Sequence, residues 1–220
     1  YQNLEQLWPY RENDVLGGSD PYSASKAAAE FVVRSYSSAV IAPNNIQIGI
    51  CSARAGNVIG GGDWSDDRLI PDIFRALEND NDVHLRNPDA TRPWQHVLDC
   101  LNGYMVLAES LYKEPESFNG AWNFGPDAKV DWTVEEVANY LRIGTGAKSK
   151  VVVEKSKDLR KKEHSLLKLD ISKSVNLLGW RPLLDTQASL DFTCEEYLSA
   201  HNLEQFKSVV EKHLKLFIEH

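Results

Sequence analysis

Cysteine, basic charge and long apolar runs are all scarce in this chain. It has 3 cysteines in 220 residues. Cys51, Cys100 and Cys194 are odd in number and far apart, which indicates neither a disulfide framework nor a zinc site. They read as small apolar side chains, and a reducing, cytoplasmic setting is expected. Lys and Arg total 24 against 32 Asp and Glu, a net charge of -8. That balance argues against a general nucleic-acid binder, although a few local arginines can still hold a diphosphate. No apolar run is long enough to span a bilayer, and no signal-peptide pattern opens the chain.

What is present is ordinary globular material, 42% hydrophobic and 25% charged. The pattern predicts a helix over 21–40, a strand over 46–53 and a glycine-rich loop over 56–63. A short helix over 69–77, a short strand over 83–86, a helix over 93–111 and a strand over 121–124 follow. Thr133-Val134-Glu135-Glu136 has the form of a capping box for a helix that Gly144 and Gly146 end. A strand over 151–153 and helices over 172–179, 186–199 and 203–220 complete the reading. Strands alternate with helices, so the fold class is α/β. No strand leads into a G-x-G-x-x-G turn, the opening of a dinucleotide-binding sheet. Gly60-Gly61-Gly62 comes late and has the wrong spacing.

Tyr22 and Lys26 carry the strongest chemical signal. Four residues apart on a helix, they project from one face. A neighbouring ammonium favours phenolate over phenol, which lets a tyrosine take a proton from an alcohol. Asp20 and Pro21 supply a helix cap and first turn, and Ala24, Ala27, Ala28 and Ala29 leave a tight small-residue flank. A surface Tyr–Lys pair is the plainer alternative.

The later motifs come as a series. Arg54-Ala55-Gly56-Asn57-Val58-Ile59-Gly60-Gly61-Gly62-Asp63-Trp64 is followed by Arg68-Leu69-Ile70-Pro71-Asp72, Leu85-Arg86-Asn87-Pro88 and Arg92-Pro93-Trp94-Gln95-His96-Val97. Trp122-Asn123-Phe124-Gly125-Pro126 and Leu167-Lys168-Leu169-Asp170-Ile171-Ser172-Lys173 come after them. With the Tyr–Lys pair, the series resembles the extended short-chain dehydrogenase/reductase family, and within it the CDP-glucose 4,6-dehydratases. The likeness covers nearly the whole chain. Roughly the N-terminal third of a typical member has no counterpart, and that third would carry the glycine-rich turn and the residues of water elimination. The absence of Met at position 1 suggests a longer parent.

The resemblance implies the C-terminal part of an NAD-binding Rossmann-type sheet plus a smaller α/β substrate-binding domain. Residues 1–62 with part of 91–125 would belong to the first, and 63–90 with 126–220 to the second. It implies NAD as cofactor and a nucleotide-sugar as substrate, with Tyr22 as proton acceptor and Lys26 on the nicotinamide ribose. Asn57 would meet cofactor and substrate near the sugar-diphosphate, or else serve as a turn former beside glycines. Arg92 would bind the diphosphate, or else pair with Asp89 or Asp99 at a helix start. Arg68 and Arg86 are further substrate-binding candidates, or solvated surface charges. His84, His96 and His164 read as structural, and Trp64 and Trp94 as packing residues that could alternatively stack on a base.

A homo-oligomer, a dimer through helix 21–40, is also implied. Strand 46–53 would then be covered by a partner chain, exchanged or rearranged. The alternatives are a truncated non-catalytic nucleotide-sugar binding or assembly module and a sugar-nucleotide epimerase of the same family.

Overall fold

The computed structural model describes residues 1–44, 46–127, 132–154 and 166–219. Helix α1 (Pro21–Tyr36) starts where Asp20 accepts a hydrogen bond from the Ser23 N–H, with Pro21 in its first turn. It passes into a wider π-helical turn, Ser37–Ile41. The strand expected over 46–53 begins only at Cys51. β1 (Cys51–Ala55) pairs in parallel with β5 (Gly120–Phe124), Cys51 opposite Gly120 and Ala55 opposite Phe124. Ile46 and Ile48 are exposed: alternation alone does not make a strand where no partner backbone lies alongside. Among the described residues β1 has β5 on one edge and no strand on the other.

Two further parallel pairs build the rest. β2 (Asn57–Ile59) pairs with β4 (Trp94–His96), and β3 (Val83–Leu85) with β6 (Val151–Val153). The helix expected over 93–111 is therefore β4 followed by α3 (Val97–Lys113). α2 (Leu69–Glu78), α4 (Val134–Thr145), α5 (Thr186–Ser199) and α6 (Leu203–Ile218) follow, and a π-helical turn, Ser174–Leu178, lies within the helix expected over 172–179. α4 has the capping box its sequence predicts, with Thr133 and Glu136 bonded reciprocally.

The larger core packs α2, α4 and α5 on β3 and β4, around Phe74, Trp94, Leu141, Leu190 and Tyr197. Each such side chain contributes roughly 1.5–3 kcal/mol by leaving water. Phe74 and Tyr197 stack at 3.9 Å. A smaller core joins Leu107, Trp122, Phe124 and Trp180. Gly103 lets α3 approach it, since a Cβ there would lie 2.4 Å from Phe124. Cys100 and Cys194 are buried and Cys51 is half-buried.

Candidate active site

α1 buries none of its residues. Tyr22 is 65% exposed, and Lys26 one turn on is exposed too. Among the described residues, no hydrogen bond or ion pair occupies the Tyr22 hydroxyl or the Lys26 ammonium. The helix is fastened to the sheet further along. Glu30 accepts from Arg54 Nε at 2.8 Å and Nη2 at 3.0 Å, and from Ser52 Oγ at 2.6 Å. Arg54 Nη1 also donates to Tyr1 Oη at 2.8 Å, and that hydroxyl donates to Asn123 Oδ1 at 2.6 Å. Burial works against the Glu30 charge, but the bonds from Arg54 and Ser52 outweigh it and hold the carboxyl below its usual range.

Two residues past the carboxyl end of β1 the chain enters β2 at Asn57. Asn57 stands opposite Trp94 in β4, and its N–H donates to Pro93 O at 3.0 Å. Gly56 makes the approach feasible, since a Cβ there would lie 2.5 Å from the Pro93 ring. The pairing brings Asn57 and Arg92 to the same end of the small sheet. Asn57 is thus a strand residue and not a turn former. Arg92 is half-buried and donates to Thr91 O at 2.9 Å. Asp99, proposed as an ion-pair partner from sequence, accepts instead from the N–H groups of Leu183 and Leu184. Burial pushes its carboxyl up despite those bonds.

Arg68 and Arg86 lie elsewhere. Arg68 is exposed before α2 and Arg86 is exposed after β3, and neither belongs to the strand pairing that assembles Asn57 and Arg92. Trp94 is a core residue, while Trp64 is partly exposed with its ring edge-on to Tyr197. His84 is exposed near Glu154, and His164 lies outside the described residues. His96 is fully buried and accepts from Leu98 N–H at the start of α3, a structural place.

The glycine loop holds residues that sequence reasoning missed. Gly61 N–H donates to Glu196 Oε2 at 2.5 Å. A backbone N–H of the glycine run is therefore occupied by the protein's own carboxylate. His96 Nε2 lies 3.5 Å from Glu196 Oε2, and His213 Nδ1 lies 3.0 Å from its Oε1. His213 Nε2 faces Glu195 at 2.9 Å, and Lys212 bonds Glu195 at 2.7 Å. Burial raises Glu196, but bonds from His96, His213 and Gly61 outweigh it and hold its carboxyl low. Tyr197 Oη donates to Asp63 O. The only local sequence signal was a face of α5 bearing Ser189, Thr193 and Glu196, all of them buried.

The parallel pairs with their helices have the Rossmann-type fold of solved dehydratases and epimerases. An epimerase from Methanothermobacter thermautotrophicus superposes with a TM-score of 0.72 at 23% identity, over 94% of this chain and 58% of that one. A dTDP-glucose 4,6-dehydratase from Bacillus anthracis, solved with NAD, gives 0.67 at 18% identity over 92% and 59%. Residues 3–191 match the family model described as GDP-mannose 4,6 dehydratase, and the chain belongs to that family. It is 45% identical over 185 residues to a CDP-glucose 4,6-dehydratase of Salmonella typhimurium, covering 83% of this chain and 51% of the relative. It thus spans about half the length of that curated relative. No helix among the described residues is long and apolar enough to cross a membrane.

Proposed function

We propose that the protein is an NAD-dependent nucleotide-sugar 4,6-dehydratase acting on CDP-glucose. The observation that carries this reading is the Tyr22–Lys26 pair. It is exposed, and among the described residues its side chains have no internal bond, in a chain 45% identical to a CDP-glucose 4,6-dehydratase. Tyr22 Oη takes the proton of the glucose 4-hydroxyl as that carbon is oxidised. Lys26 holds the nicotinamide ribose and stabilises the phenolate. NAD, when bound, supplies the hydride acceptor and later the donor. The ketone at C4 acidifies the C5 proton, water leaves across C5 and C6, and C6 is then reduced to give a 4-keto-6-deoxy sugar.

Tyr22 and Lys26 fit the nicotinamide end of NAD, being exposed and adjacent on one helix face. The residues that would grip its pyrophosphate are not among those described. Asn57 and Arg92 bind the sugar-diphosphate from the amino end of the β2–β4 pair, which follows directly on the carboxyl end of β1. Open α/β sheets bind ligands at the carboxyl ends of their strands. The guanidinium of Arg92 provides a planar fork for phosphate oxygens. Arg68 and Arg86 remain candidates for the outer part of the substrate. Residues 1–62 with part of 91–125 form the cofactor side, and 63–90 with 126–220 the substrate side.

The protein works in the cytoplasm as a dimer through α1. Its exposed Phe31, Val32 and Tyr36 support such a contact.

The test is incubation of the full-length protein with NAD and CDP-glucose, scoring the alkaline chromophore of a 4-keto-6-deoxy product. Chromophore from CDP-glucose in preference to dTDP-glucose and GDP-mannose is expected. Binding of CDP-glucose with no product would replace the enzyme with a binding module.

A further inference from the structure

A set of buried ionisable groups holds the glycine loop from its α5 side. Glu196 is 4% exposed and His96 and His213 no more than 1%. They come from α5, β4 and α6; the two histidines face the Glu196 carboxylate, and that carboxylate accepts from the Gly61 N–H. A side chain at position 61 is excluded, because its Cβ would lie 2.2 Å from the Glu196 Cβ. Gly62 adopts φ +83°, a conformation that suits glycine. Tyr197, next along α5, holds the Asp63 carbonyl. Consecutive residues of one helix therefore grip the loop at Gly61 and at Asp63. Burying a carboxylate is costly unless it is paired and hydrogen-bonded; His213 and the Gly61 N–H bond it, and His96 Nε2, which has no hydrogen-bond partner among the described residues, stands 3.5 Å away.

We propose that Glu196 is a positioning residue for substrate binding: its carboxylate, held by His96 and His213, clamps the Gly61 N–H and thereby fixes the segment from Asn57 to Asp63. The proposal rests on the nucleotide-sugar reading above, through Asn57. It also assigns the anion of the substrate to the Arg92 side, because the Gly61 amide already faces a negative charge.

The test uses the full-length protein labelled with 15N-glycine, with CDP-glucose as the probe ligand. A charge-assisted bond from Gly61 to a carboxylate displaces its amide proton resonance downfield. In Glu196→Ala that displacement is lost and the dissociation constant for CDP-glucose rises about tenfold, the scale of one hydrogen bond to a charged group. Glu196→Gln keeps an acceptor oxygen and gives an intermediate shift with affinity largely restored. Leu107→Val, a change in the smaller core, lowers thermal stability and moves neither readout. A Gly61 resonance unchanged in both Glu196 variants overturns the clamp, and a lost resonance with unchanged affinity overturns its role in binding. If Glu196→Ala does not fold, the Gly61 resonance of Glu196→Gln decides alone. Failure of the wild-type protein to bind CDP-glucose sinks the substrate reading, while the resonance still judges the clamp.

Discussion

Arg54 in β1 clasps Glu30 in α1 with two guanidinium nitrogens, and both side chains are largely withdrawn from water. This pair ties the helix bearing Tyr22 and Lys26 to the sheet whose carboxyl end leads into Asn57. Removing one partner leaves an unpaired buried charge, at a cost of about 3–5 kcal/mol. Glu30→Ala and Arg54→Ala should each lower the unfolding free energy by about that much, read as a fall in the urea midpoint. A midpoint within error of wild type for either would show that α1 is anchored some other way.

Acid should loosen the same contacts. Glu30 and Glu196 both have folded-state carboxyls held below their ordinary values. Depressed acids contribute stability that is present above the unfolded value, about 4.3, and is lost as pH falls through the folded value. Asp99 acts in the opposite sense, since burial raises it and protonation relieves that cost. Unfolding free energy should therefore fall on acidification below about pH 4.3. Glu30→Gln should flatten the profile in that range, and parallel profiles for variant and wild type would count against the assignment.

The apolar face of α1 should matter for assembly. Phe31 is 55% and Tyr36 57% exposed on a helix with no buried residue. Phe31→Asp should halve the mass seen by light scattering while secondary structure persists. An unchanged mass would place the contact elsewhere.

Much of this was legible in the sequence. Asp20 and Pro21 mark the start of α1 because capping is local chemistry, and Thr133 with Glu136 marks α4 for the same reason. The start of β1 was not legible. Ile46 and Ile48 alternate as strand residues do, but pairing begins where Gly120 lies opposite Cys51, and that register is set by distant chain. β4 was hidden because three residues before a helix carry too little periodicity. Glu196 and His213 were invisible for a further reason. Glu196 meets Gly61 and His96, which lie a hundred residues or more before it, and His213 meets Glu196 from the next helix; no spacing rule spans those gaps.

The Tyr22–Lys26 pair makes a kinetic claim. Tyr22→Phe should lower kcat by about 10²–10⁴-fold, the usual contribution of a positioned proton acceptor, with CDP-glucose affinity little changed. Lys26→Ala should displace the acid limb of the pH–rate profile, where the proton acceptor is protonated, toward higher pH. Full turnover by Tyr22→Phe would remove the residue from the chemistry.

The most direct measurement follows the hydride. CDP-glucose deuterated at C4 is turned over by the full-length protein with NAD, and the product is read by NMR. The account predicts deuterium at C6 of a 4-keto-6-deoxy sugar. Deuterium retained at C4 of an inverted sugar, as an epimerase would leave it, or no turnover at all, would contradict it.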